Sequence, residues 1–133
     1  MKALVTGASS GLGREMAIQL SRMGYDLIVV ARRRERLEQL QRELSTNVEI
    51  YAMDLTVEDN CRALFESTKS DELRIVINNA GFGLCGAFEK TSVDRELKMI
   101  DLNIKATHLL TKLYLSYFLK RGSGYLLNVA SSA

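Results

Sequence analysis

The sequence predicts an α/β fold: an open, doubly wound parallel sheet with helices on both faces. Three observations carry that prediction. Strand-like and helix-like segments alternate from the second residue onward. The strand-like runs, such as Leu27-Ile28-Val29-Val30-Ala31, are apolar throughout rather than at every other position, the pattern of strands buried on both faces. The glycines, asparagines and charged residues able to do chemistry gather at the carboxyl ends of those runs, where open α/β sheets bind ligands.

The elements follow in order. Lys2 to Thr6 is a short β-rich run that stops at Gly7, Gly11 and Gly13. A helical period through Leu12, Met16, Ile18 and Leu20 covers 11–23, and Gly24 closes it. Leu27 to Ala31 is the second strand, and Arg33 to Leu44 a charged helix with Leu37, Leu40 and Leu44 on one face. Val48 to Met53 and Leu73 to Ile77 are the third and fourth strands, with a helix over Thr56 to Ser67 between them. A glycine-rich loop through Gly86 leads to one long helix, Ser92 to Arg121, and Tyr125 to Ala130 is the fifth strand. Strands separated by helical crossovers must run parallel.

Composition fits a single domain over residues 1–133: 47% hydrophobic and 26% charged residues are ordinary globular values. A net charge of +2 gives no reason to expect nucleic acid or an anionic membrane as partner. No apolar run approaches the length of a membrane span. The strand pattern starting at the second residue predicts no leader segment. Cys61 and Cys85 have no metal-ligand spacing and read as free thiols, so the expected location is the cytoplasm.

Thr6-Gly7-Ala8-Ser9-Ser10-Gly11-Leu12-Gly13 lies between the first strand and the first helix. Glycines there let backbone turn tightly and approach a pyrophosphate, which rests on the free N–H groups of the helix. Gly7, Ser9, Ser10, Gly11, Leu12 and Gly13 are the candidate contacts, the bland alternative being a tight turn without ligand. A side chain at Gly13 is expected to clash locally and abolish binding without disturbing the fold. A Walker-type loop is excluded, because no Gly-Lys-Ser/Thr follows.

This loop, together with Asn78-Asn79-Ala80-Gly81, resembles the short-chain dehydrogenase/reductase family, of which the chain matches the N-terminal part. The resemblance implies a Rossmann-type sheet, normally larger than five strands. It implies that Asn79, Ala80 and Gly81 border the riboses of a nicotinamide dinucleotide, and that Asp54 and Leu55 hold its adenine. The end of the second strand selects the cofactor. A carboxylate there would favour NAD; this sequence has Ala31, followed by Arg32, Arg33 and Arg34. A guanidinium meets a phosphate with two parallel bonds, so the expectation is NADP(H), with Arg32 on the 2′-phosphate and Ser9 or Ser10 assisting. Arg33 is undecided, and Arg34 reads as solvated.

The resemblance further implies hydride exchange between nicotinamide and a small carbonyl or alcohol substrate. Ser131 matches the family's catalytic serine, with Ser132 the alternative if the match slips by one, and Asn103 its active-site asparagine, which in the family helps hold a water chain and a helix distortion. The family's proton donor is the tyrosine of a Tyr-x-x-x-Lys motif. Here Tyr25, Tyr51, Tyr114, Tyr117 and Tyr125 are followed four positions on by Val29, Leu55, Phe118, Arg121 and Val129. The 133 residues are therefore expected to stop short of that motif and to show no turnover alone. The competing reading is a non-catalytic dinucleotide-binding or regulatory module. His108 reads as a packing or surface residue. The second half of the long helix is apolar on more than one face, which predicts a homo-oligomer through that helix or through the fifth strand.

Overall fold

A computed structural model describes residues 1–131 of the chain. Its elements are β1 (Lys2–Thr6), α1 (Gly11–Arg22), β2 (Asp26–Ala31), α2 (Arg34–Glu43), β3 (Val48–Ala52), α3 (Glu58–Thr68) and β4 (Leu73–Asn78). After a single 3-10 turn at Phe88–Lys90 come α4 (Val93–Ile100), a π-helical segment (Asp101–Ala106), α5 (Thr107–Arg121) and β5 (Tyr125–Asn128). The five strands form one parallel sheet in the order β3-β2-β1-β4-β5. The chain winds outward from β1 in one direction to β3, then returns across β1 to place β4 and β5 on the other side. That reversal opens a crevice between the carboxyl ends of β1 and β4, the place where such sheets take ligands.

Two cores sandwich the sheet. On one face Leu4, Ile28, Val30 and Val76 pack against Cys61 and Leu64 of α3 and Ala106, Leu110, Tyr114 and Phe118 of the π segment and α5. On the other, Ala3, Val5, Leu27, Val29 and Ile77 meet Ala17 and Leu20 of α1 and Leu37 and Leu40 of α2. This division explains why β1, β2 and β4 are apolar at successive positions: each residue faces one helical layer or the other. Burial on both faces does not extend to the sheet's edges. Glu49 of β3 is exposed, as are Tyr125 and Leu127 of β5. An apolar run identifies a strand here, while its place in the sheet decides how far it is covered.

The long helix expected over Ser92 to Arg121 is three pieces, because the six residues from Asp101 to Ala106 adopt the wider π turn. It ends at Gly122, whose φ of 78° turns the chain left-handed while its N–H donates to Phe118 O at 2.8 Å. Beside that turn Arg121 donates to Ser70 O, Leu73 O and Ser123 O and lies over the rings of Tyr117 and Phe118. The Tyr117/Arg121 pair thus buttresses the end of the sheet opposite the crevice. The strand expected to reach Ala130 stops at Asn128, and Ser132 lies outside the described residues.

Candidate functional site

Thr6, the last residue of β1, organises the crevice from beneath. Its buried hydroxyl accepts the backbone N–H groups of Asn79 and Ala80, both at 3.0 Å, and donates to Ile77 O at 3.4 Å. The turn after β4 is thereby fastened to the start of the glycine loop. Gly7, with φ of 67°, continues the junction: a Cβ there would lie 2.9 Å from the Ala80 Cα. The Asn79 side-chain amide donates to Gly7 O at 3.4 Å. Gly13 is buried, and a Cβ on it would overlap both Gly7 O and the Asn79 amide. Gly13 therefore lets α1 close on the loop rather than facing a ligand, and a side chain there would disrupt the fold itself. The expectation of a purely local clash at Gly13 is corrected on that ground.

Gly11 has φ of 56° with nothing within 4 Å of a Cβ position, so its side faces open space. Ser10 precedes α1 without capping it by its side chain, and the first turn carries no acidic residue. The N–H groups of that turn are left for an anion. Around this floor lies a cleft of about 810 Å³. Gly7, Ser9, Ser10, Gly11 and Leu12 line it from the loop, Ala31, Arg32 and Arg33 from the end of β2, and Met53, Asp54, Leu55 and Thr56 from the segment after β3. Asn79, Ala80, Gly81, Phe82 and Gly83 close it from β4, and Arg95, Lys98 and Leu102 from α4 and the π segment.

Electrostatically the cleft is cationic. Arg32, Arg33, Arg95 and Lys98 face a single carboxylate, Asp54, and none of the five belongs to an ion pair within 4.0 Å among the described residues. Arg33, undecided from sequence, donates to Ser9 Oγ at 3.4 Å and so links the loop to the end of β2. Asp54 Oδ1 accepts from Thr56 N at 3.0 Å and Thr56 Oγ1 at 2.7 Å. Partial burial pushes the Asp54 carboxyl up, but those hydrogen bonds, with the charges of Arg32 and Lys98, outweigh it and hold it below its ordinary value.

Asn103 and Ser131 stand outside this lining. Asn103 sits in the π segment, where its Nδ2 donates to Phe82 O at 2.7 Å and its Oδ1 accepts Phe82 N–H at 3.0 Å. Its side chain thus holds the rim of the cleft as a strand neighbour would. A Cβ at Gly81 would come 2.9 Å from Asn103 Oδ1, which is why the rim has glycine there. Ser131 is exposed, three residues beyond β5. The segment leading to it is pinned: Val129 N donates to Asn78 O at 3.0 Å, Asn78 Nδ2 to Asn128 Oδ1 at 2.9 Å, and Asn128 Nδ2 to Thr111 Oγ1 at 3.1 Å.

Sequence reasoning missed Thr6, Phe82, Arg95 and Lys98. Thr6 carried a signal, as a hydroxyl ending a strand beside the glycine loop. Arg95 and Lys98, in a helix remote in sequence from every motif, carried none beyond their i, i+3 spacing. His108 is exposed on α5 and does not line the cleft. Cys61 is buried and donates to Leu55 O at 3.3 Å; burial, and then Glu58 and Asp54, pushes its thiol up to about 11. Among the described residues no cluster of His, Cys, Asp or Glu could hold a metal ion, and no helix is long and apolar enough to cross a membrane.

The family model for short chain dehydrogenase matches residues 1–133. An uncharacterized oxidoreductase of Staphylococcus epidermidis is 35% identical over 131 residues, which cover 97% of this chain and 57% of that protein. Among solved structures, a short-chain dehydrogenase from Sphingobium yanoikuyae in complex with NADPH superposes with a TM-score of 0.90 at 32% identity, over 98% of this chain and 53% of that one. A metagenomic short-chain oxidoreductase in complex with NADP gives a TM-score of 0.92 at 28% identity, over 100% of this chain and 63% of that one. The chain spans about half the length of the relatives it matches.

Proposed function

The chain belongs to the short-chain dehydrogenase family of oxidoreductases, and from that premise we propose that it is the NADP(H)-binding portion of an enzyme exchanging hydride with a small carbonyl or alcohol. The observation that carries the reading is Arg32 and Arg33 at the rim of a cleft floored by the glycine loop, with Ala31 where a carboxylate would select NAD. The fit rests on shape and charge. Gly11 leaves the floor open, the first turn of α1 has no acidic or side-chain cap, and no cation of the cleft closes into an ion pair within 4.0 Å among the described residues.

When bound, NADP(H) supplies hydride chemistry at its nicotinamide C4. The chain's own residues bind and orient. Gly7 to Leu12 would carry the pyrophosphate, Arg32 and Arg33 the 2′-phosphate, Asp54 and Leu55 the adenine, and Asn79 to Gly81 the riboses. Ser131 would hydrogen-bond the substrate oxygen and orient it. Asn103, its amide engaged by Phe82, acts as a positioning residue through the π segment and the cleft rim. The 133 residues contain no Tyr-x-x-x-Lys motif to carry out the proton transfer. Burial pushes both Tyr114 and Tyr51 away from neutrality, and a serine hydroxyl is too weak an acid. We therefore expect no turnover from the 133-residue chain alone.

Titration of NADPH and NADH, followed by nicotinamide fluorescence, tests the assignment. NADPH should bind more tightly. Arg32→Ala should remove a charge-assisted hydrogen bond of about 1.5–3 kcal/mol, roughly tenfold to hundredfold in NADPH affinity, with NADH little affected. Ala31→Asp should shift preference toward NADH. Equal losses for the two cofactors in Arg32→Ala would sink the assignment.

A further inference from the structure

Arg95 and Lys98 reach the cleft from α4, a wall that carries none of the motifs of the nucleotide loop. Across from them stands Asp54, the cleft's only carboxylate among the described residues. The carboxylate proposed to hold the adenine is a liability toward the ligand's phosphates. It repels the ligand's anionic groups and competes for the guanidinium that should meet them. Asp54 also stays ionised at neutral pH, since both Thr56 hydrogen bonds fall on its Oδ1.

Lys98 and Arg32 both act on Asp54 from within the same cleft, and neither closes into an ion pair with it. The carboxylate is shared between two cations rather than owned by one. We infer that Lys98 is a specificity-determining residue for the phosphorylated dinucleotide: its ammonium offsets Asp54, so that Arg32 stays available to the 2′-phosphate. The inference rests on the proposed cofactor site and adds a residue to it. Removing Lys98 would leave Asp54 leaning on Arg32 alone, and the extra phosphate of NADPH would feel that loss more than NADH does. Removing Asp54 as well would remove the need for Lys98.

The affinity ratio of NADPH over NADH, measured on the 133-residue chain at low salt, separates the possibilities. Lys98→Met should lower the ratio about twofold to fivefold, the size expected of one partly screened charge. In an Asp54→Asn background, Lys98→Met should leave the ratio unchanged within about the error of additivity. Lys120→Met, which removes the same charge from the last turn of α5, should have no effect. The inference is overturned if Lys98→Met leaves the ratio unchanged, if its effect persists with Asp54→Asn, or if Lys120→Met matches it. A wild-type chain without preference for NADPH overturns the cofactor assignment and this inference together. A wild-type preference that Lys98→Met leaves undiminished overturns this inference alone.

Discussion

Thr6 shows what a single buried hydroxyl does for this site. It is the acceptor for two backbone N–H groups at the turn after β4, so Thr6→Val would leave both without that partner. An unsatisfied buried donor costs about 1–3 kcal/mol, and the expected loss in urea unfolding is about 2–4 kcal/mol, most of it restored by Thr6→Ser. A loss below about 0.5 kcal/mol would show that the turn holds itself. Cys61 gives a second test, by pH. Its folded thiol titrates near 11 against an ordinary value of 9.0, because burial disfavours the thiolate. The raised value means its contribution is fully present below pH 9.0 and is lost as pH climbs toward 11, where the unfolded thiol is already ionised. Urea midpoints should fall across that window, and Cys61→Ala should flatten the fall; an identical slope in the variant would contradict it. At this scale the sequence was readable where a residue stands at the end of a strand and lines the cleft directly, as Arg32 does beside Ala31. It was silent where a residue acts on a neighbour distant in sequence, as Asn103 does on Phe82 and Thr6 on Asn79.

The helical stretch after the 3-10 turn is the element least legible from its hydrophobic pattern, although the family resemblance implied a helix distortion at Asn103. Helical periodicity spans it without a break, yet the π turn at Asp101–Ala106 inserts extra backbone, and that is what places Asn103 beside Phe82. A hydrophobic pattern reports which residues are apolar and not how the backbone pitch changes, so a π turn leaves no trace in it. The outward side of α4 and the π segment carries Leu97 at 53% and Ile104 at 63% exposure, and β5 bares Tyr125 at 73%. Exposed apolar side chains concentrated on one element favour association. The chain should accordingly scatter light with a mass above its 14.9 kDa, and Leu97→Lys with Ile104→Lys should lower that mass while circular dichroism holds. A monomeric wild-type chain would contradict the expectation, and an unchanged mass in the double variant would move it to β5.

Across the whole molecule, the strand order β3-β2-β1-β4-β5 turns four separate sequence signals into one cleft. Alternating apolar runs and amphipathic helices were enough to foresee parallel strands, and the motifs at their carboxyl ends were enough to foresee where the cleft opens. The fourth wall was out of reach, because α4 meets the cleft only once the sheet is assembled. The central claim is that this cleft, and no other surface, takes the dinucleotide. Backbone amide chemical shifts of the labelled chain, recorded with and without NADPH, test it most directly. The account expects the largest shifts at Ser9 to Leu12, Arg32, Leu55 and Asn79 to Gly81, with Lys98 and Arg95 following. Shifts centred on α5 or on the Arg121 end of the sheet, or none at saturating NADPH, would contradict it.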